Sequence, residues 1–326
     1  MAQSRRQVLA GSAALAAGVA MPNIGRAQTW NPSNVRIVVP FAAGGSVDAL
    51  GRLVADGLRQ GRNGTFVVEN RTGASGSIGA AAVAKSPADG NTWLLTFDIH
   101  AVLPTLIPNL PYDNDKELVP VTLIGTSPMV FVTSAKGPFQ NFEQMVAHGK
   151  SKGGLNYGSG SAGTLGHLTM TVISELAQVP MTHLNYRGGT PALNDALAGH
   201  IDGFIGSSSI VAQHIASGTV RPILQTSGTR QPHLPDVPTA KELGFSDIEA
   251  DAWWAIFAPG GVPRPIIDAF HAELQTIFAQ PASRKIIDAY QIKVVLSKPD
   301  DFKTFYEREM RTWGKVARDH KITAAT

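Results

Sequence analysis

The 326-residue sequence has no cysteine, which excludes disulfide staples, thiolate nucleophiles and thiolate metal sites together. It has no HExxH, and its nine histidines show no metal-ligand spacing, so neither a metal nor another cofactor is expected. Beyond the amino terminus no apolar run reaches the length of a membrane helix, so no membrane insertion is expected and any work at a membrane is that of a soluble partner. Positive charge is also scarce once the leader is set aside. The formal net charge of +3 rests on Arg5, Arg6 and Arg26, and removing them leaves 25 basic residues against 25 acidic ones. No Lys/Arg stripe tracks a phosphate backbone, so a nucleic-acid partner is excluded.

The amino terminus carries an export pattern. Ser4-Arg5-Arg6-Gln7-Val8-Leu9 places paired arginines before an apolar run, residues 8–21, with no acidic residue. That run is too short and too rich in Ala and Gly to span a bilayer well, and Gly25-Arg26-Ala27 has the spacing of a signal-peptidase site. Residues 1–27 therefore read as a cleaved signal peptide. The paired arginines favour the twin-arginine route, an ordinary secretory signal is the alternative, and both lead to the periplasm. The remaining 299 residues are held by core burial alone, as two lobes rather than one.

From residue 35 the chain alternates short β-branched runs with helical periods. Strands are predicted at 35–40, 66–69 and 93–97, with helices at 47–60 and 77–85 between them. The pattern restarts after Met129, with strands at 129–133, 155–157, 182–186, 203–205 and 221–226. Helices fit 142–150, 164–178, 191–198 and 210–216. Strands separated by helices predict an α/β fold with parallel sheet. The Pro-rich stretch 231–238 predicts an ordered turn. An apolar strand at 252–259 and helices at 265–278, 282–289 and 299–316 follow. Those helices need a sheet to cover, which returns the chain to the first lobe. The chain then crosses between lobes near 126–130 and near 250–253, and two crossings make a hinge.

The most informative segment is Pro40-Phe41-Ala42-Ala43-Gly44-Gly45-Ser46-Val47-Asp48, a strand end running through two glycines into a helix. Glycine lets the backbone turn sharply and approach a ligand, Ser46 can cap the helix, and free amides point outward at its positive end. Such a turn binds anions; an unliganded βα turn is the alternative. A second segment of the same design, Tyr157-Gly158-Ser159-Gly160-Ser161-Ala162-Gly163-Thr164, leads into the helix carrying His167. Two such turns, one per lobe, can face each other across a crevice at the strands' carboxyl ends. Gly158, Gly160 and Gly163 also satisfy GxGxxG, but the next strand ends in Asn185-Tyr186 without the acid a dinucleotide ribose needs, which demotes a dehydrogenase. A hydrolase fares no better, since Ser75, Ser77, Ser159 and Ser161 lack the flanking glycines of a nucleophile elbow. His167 and His183 read as polar core or rim residues.

Several further motifs run in a familiar order: Glu69-Asn70-Arg71-Thr72-Gly73-Ala74, Ala88-Asp89-Gly90-Asn91-Thr92, Pro235-Asp236-Val237-Pro238-Thr239, and Trp253 ahead of Phe257-Ala258-Pro259. With the two turns they resemble the Bug family of tripartite tricarboxylate transport receptors over nearly the whole mature chain. The resemblance implies a type II periplasmic-binding-protein fold: two α/β lobes, a two-stranded hinge and a ligand cleft between them. It implies no enzyme but a monomeric receptor that closes on a small organic carboxylate and delivers it to membrane permease subunits. A sensory receptor that presents its ligand to a signalling partner is the alternative. The segments are 28–128 for the first lobe, 129–252 for the second and 253–326 for the return.

Carried over residue by residue, the resemblance places Phe41, Ala42, Gly44, Gly45 and Ser46 at the cleft, with Ser159, Ser161, Gly163 and Thr164 opposite. Further walls come from Thr96, Asp98 and His100, from Tyr186, Arg187 and Gly188, and from Ser207, Ser208 and Ser209. Val47 stands where the family often has a hydroxyl residue, which favours a less polar ligand. Asp98 stands where small or hydroxyl residues are common. It either caps the helix starting at Ile99 or faces the cleft, where it would disfavour a second carboxylate and favour an amine or hydroxyl. Arg187 either contacts an acid group or lines the hinge. Trp253 and Trp254 read as interlobe core rather than a stacking platform.

Overall fold

A computed structural model describes residues 30, 32–246 and 248–324; the leader read as a signal peptide lies outside them. The first β-branched runs form strands β1 (Asn34–Val39), β2 (Thr65–Asn70) and β3 (Thr92–Phe97). They pair in parallel, Ile37 standing opposite Val68 on one side and Trp93 on the other. The connecting helices are α1 (Ser46–Arg59) and α2 (Ser77–Ala84). On α1, Leu50, Val54 and Leu58 recur at helical spacing and are fully buried. Close approach requires glycine on the same helix, since a Cβ at Gly57 would lie 2.6 Å from Ile277.

After a short helix α3 (Leu103–Leu106) comes β4 (Leu118–Ser134), a strand of 17 residues. The second lobe then adds α4 (Phe142–Lys152), β5 (Leu155–Gly158), α5 (Leu165–Ala177) and β6 (Met181–Leu184). It is completed by α6 (Gly189–Ala198), β7 (Gly203–Ser207), α7 (Ser208–Ala216) and β8 (Val220–Gln225). The chain returns through β9 (Asp251–Pro259) to α8 (Arg264–Ala279), α9 (Pro281–Ala289), β10 (Lys293–Val294) and α10 (Pro299–Asp319).

The strand order β2-β1-β3-β9-β4-β7-β5-β6 runs through both lobes because β4 belongs to both. Up to Pro128 it pairs with β9; from Met129 it pairs with β7 and β8. The two crossing strands therefore meet each other where they cross, with Pro128 opposite Asp251. The sheet is mixed rather than parallel, because β4 and β9 run antiparallel to their neighbours while β1 to β3 and β5 to β7 keep the parallel order of βαβ units. Pro120 and Gly125 adjoin register shifts in β4, where a missing N–H and a missing side chain are tolerated.

Aromatic packing holds the returning helices on the first lobe. Trp93 stacks on Phe270 with ring centroids 3.9 Å apart, and Trp253 is edge-on to Phe302, Phe305 and Tyr306 of α10. The Pro-rich turn is pinned from inside: the buried Gln225 amide donates to Leu234 O (3.0 Å) and Val237 O (2.7 Å). Among the described residues no helix is long and apolar enough to cross a membrane.

Candidate ligand-binding cleft

The turn from β1 into α1 is shaped by a buried carboxylate behind it. Gly44 adopts φ +94°, a conformation glycine accepts without strain, and its N–H donates to Asp48 Oδ2 (3.0 Å). Arg52 adds two hydrogen bonds to Asp48 (2.9 and 3.1 Å), and Asn70 Nδ2 bridges Asp48 Oδ1 (2.9 Å) to Phe41 O (3.1 Å). Burial alone would raise the Asp48 pKa, but the hydrogen bonds from Arg52, Gly44 and Asn70 outweigh it and hold the carboxyl below its ordinary range. Ser46 is not the cap. Gly45 holds that position, while Ser46 Oγ accepts a hydrogen bond from the Trp254 indole N–H (3.0 Å). A Cβ built on Gly45 would meet nothing within 4 Å, so a side chain there would enter open space.

The turn from β5 into α5 is held by neutral groups instead. Ser159 Oγ lies 2.8 Å from His183 Nε2 and 3.0 Å from Thr164 Oγ1, and the Gly163 N–H donates to His167 Nδ1 (3.1 Å). Asn185 accepts from the Ala162 N–H (2.9 Å), and the Gly188 N–H donates to Gly160 O (2.8 Å), tying the next loop to this one. The two imidazoles stack at 3.9 Å. Burial pulls His167 down to about 4, and burial together with its neighbour pulls His183 down to about 3, so both are neutral at ordinary pH. Among the described residues no group of three or more His, Asp or Glu is placed to hold a metal ion.

These turns open on one cavity of about 970 Å³ between the lobes. Five helices begin at its wall. Residues 44–48 open α1, Gly76 caps α2, Thr164 caps α5, Gly188 caps α6 and Ser207 caps α7. First-turn N–H groups have no acceptor within their own helix, and the helix dipole makes each such end positive. Among the described residues Arg187 is the only Lys or Arg on the wall, and it is exposed. Aromatic rings supply the apolar part: Phe41 and Phe97 lie 4.4 Å apart, with Tyr186, Phe204, Trp254 and Tyr290 around the rest.

Most of the residues singled out in the sequence border this cavity. Phe41, Ala42, Gly44, Gly45 and Ser46 do so from the first lobe, with Asp98. Ser159, Ser161, Thr164, Arg187, Gly188 and Ser207 do so from the second, with Tyr186 and Ser209. Four others do not. Thr96 is 1% exposed within β3, where alternation turns Phe97 rather than Thr96 to the cavity. His100 is sealed between Phe257 and Tyr306, and burial pulls it down to about 3. Gly163, at φ +78°, packs against α3, where a Cβ would lie 2.5 Å from Leu106. Ser208 is buried with its hydroxyl 2.8 Å from Ser127 Oγ at the hinge.

Several wall residues were missed in the sequence. The loop from Thr72 to Gly76 carries left-handed residues at Gly73, Ala74, Ser75 and Gly76, and its Arg71-Thr72-Gly73-Ala74 motif was the available signal. Trp253 and Trp254 are both buried in the core, as expected, and Trp254 also borders the cavity, because neighbours on a strand point to opposite faces. Asp98 is 6% exposed and is the first residue of a short helical turn, Asp98–Ala101, whose cap position is held by Phe97. Burial first, and the Glu309 carboxyl second, push it up to about 7.

A family model described as the tripartite tricarboxylate transporter family receptor matches residues 50–322. The chain belongs to that family. BugT of Bordetella pertussis is 32% identical to it over 306 residues, covering 93% of each chain. A Pseudomonas sp. strain P51 protein, from the tcbD-tcbE intergenic region, is 34% identical over 98% of this chain and 96% of its own length. Among solved structures, an R. palustris protein with adipate superimposes with a TM-score of 0.81 at 28% identity, covering 90% of this chain and 99% of its own. The periplasmic binding protein BugD gives 0.78 at 28% identity, with the same coverage of both chains. MatC from Rhodopseudomonas palustris with bound malate gives 0.76 at 26% identity, covering 87% and 98%. Like these receptors, the chain has the two-lobed α/β architecture of periplasmic binding proteins.

Proposed function

We propose that this receptor traps a small organic carboxylate outside the cytoplasm, in the cleft between its lobes, and hands it to the permease of a tripartite transporter. The observation that carries the reading is the convergence of five helix amino termini on one cavity that, among the described residues, has a single exposed cation. Main-chain dipoles bind an anion there without burying a counter-charge, whose desolvation would offset much of the gain. The ligand bonds to both lobes only when they are closed, so it shifts the population toward the closed state. The adipate and malate found in two relatives fit this chemistry.

The Ser159–His183 pair invites a hydrolase reading, which its surroundings argue against. His183 stacks on His167 rather than on an orienting carboxylate, and with its pKa near 3 it is too weak a base to activate a hydroxyl at neutral pH. The pair is better read as scaffolding for the turn. A thermal-shift screen of mono-, di- and tricarboxylates tests the function, because a hundredfold excess over Kd stabilises by about 2.7 kcal/mol. Acids are expected to raise Tm. Silence toward all of them with a response to sugars would sink the reading, and turnover of an ester would revive the hydrolase.

A further inference from the structure

The cavity is built to attract negative charge, yet one of the two acidic side chains on its wall is unpaid by any cation of its own. Asp48 is occupied, with Arg52, Asn70 and the Gly44 amide around it. Asp98 is different: it is more than nine-tenths buried, and its Oδ1 has no hydrogen-bond partner. It sits where three parts of the fold meet. The amides of Leu165, first residue of α5 in the other lobe, of Trp253 on the crossing strand and of Asp98 itself lie close enough to the carboxyl to favour its charged form. From α10 it faces the Glu309 carboxyl, which is itself bonded to Trp313 Nε1 and paired with Arg308. His100, on the same turn, is buried and neutral.

A buried oxygen left without a donor is costly to keep, and no side chain among the described residues supplies one. A ligand that presented only carboxylate oxygens there would add like charge to an ionised Asp98. A ligand carrying an N–H or O–H group would complete it. Resting on the carboxylate reading above, we propose that Asp98 is the specificity-determining residue of the cleft. Asp98 accepts a hydrogen bond from an amino or hydroxyl substituent of the ligand while the helix termini hold the ligand carboxylate. The preferred ligands are then hydroxy and amino acids rather than their unsubstituted parents.

Isothermal titration of the purified receptor and its Asp98→Asn variant with two sets of acids tests this. One set is succinate, malate and aspartate; the other is phenylacetate, mandelate and phenylglycine. Within each set only one substituent changes, from H to O–H to ammonium. In at least one set the substituted acids should bind about tenfold more tightly than the parent, the gain of one charge-assisted hydrogen bond. Asp98→Asn should reduce that preference to within about threefold. The ammonium ligand should also release a proton on binding to the wild type and not to the variant, read from titrations in buffers of different ionisation heat. A purely structural Asp98 would leave both the ranking and the proton count unmoved.

Parent acids that bind as well as the substituted ones in both sets would overturn this inference alone. So would a preference that survives in Asp98→Asn. Tighter binding of the parents as pH falls would assign Asp98 the opposite role, a protonated donor to carboxylate. Silence toward all six acids would remove the carboxylate reading and this inference with it. Should the variant fail to fold, the wild-type ranking and proton release still decide.

Discussion

The two turns that open on the cleft share one design toward the ligand and differ in everything behind it. In the first lobe an ionised, buried Asp48 gathers an amide, an arginine and an asparagine. In the second, two neutral imidazoles and two hydroxyls do the same work without a formal charge. The surface that borders the cavity includes main chain at a helix start in both. A similar turn can thus be held by groups of either kind, provided each buried donor and acceptor is paired.

The largest expected effect tests whether both turns grip. Gly45→Val and Gly160→Val each put a branched side chain on the cavity wall, where the Cβ at Gly45 meets nothing and that at Gly160 meets Thr164 at 3.5 Å. Each should weaken binding by about a hundredfold, roughly 2.7 kcal/mol, while shifting Tm by only a few degrees. A variant that binds normally would show that its lobe does not hold the ligand.

A smaller effect should separate the two scaffolds. Asp48→Ala removes the partner of several charge-assisted bonds and should cost about 2–3 kcal/mol of stability, measured by denaturant unfolding. His183→Leu leaves one hydroxyl contact unmade and should cost about 1 kcal/mol. Equal losses would break the distinction drawn between a charged and a neutral frame.

Acid should sharpen it. An imidazole held below its ordinary 6.5 resists protonation only while the protein is folded, so stability falls as pH drops from 6.5 toward 4. The loss should reach about 2 kcal/mol per imidazole, and the His167→Gln, His183→Gln double variant should flatten it. Asp48, held below 3.8, contributes stability above that value and loses it only as pH falls through its lower folded pKa. Unfolding curves with the same slope in wild type and double variant between pH 6.5 and 4 would place the acid-sensitive groups elsewhere.

The turns were legible because glycine and serine at a strand end admit few other uses, and the α/β alternation because both periods are strong. The start of β4 was not legible. Pro120, Gly125 and Pro128 break the run that a strand reading requires, and only pairing with β9 makes 118–128 a strand. The placement of Thr96, His100, Gly163 and Ser208 away from the cavity has a related origin. Each lies within a residue or two of a wall position, and the side that a residue faces is set by pleat, turn and neighbouring lobe rather than by its type. Asp98 stands between two readings in the sequence; it borders the cavity and also opens a helical turn, so its role belongs to the proposal above.

Local chemistry in the sequence was enough to determine two glycine turns at strand ends, the helical and strand periods around them, and the absence of thiol chemistry. Only the tertiary structure decided that β4 and β9 pair antiparallel through both lobes, that five helix starts rather than two meet at one cavity, and which hydroxyls face it. Periodicity and turn preference act over a few residues, whereas the direction of a helix end depends on contacts between segments more than a hundred residues apart, such as Trp254 on Ser46.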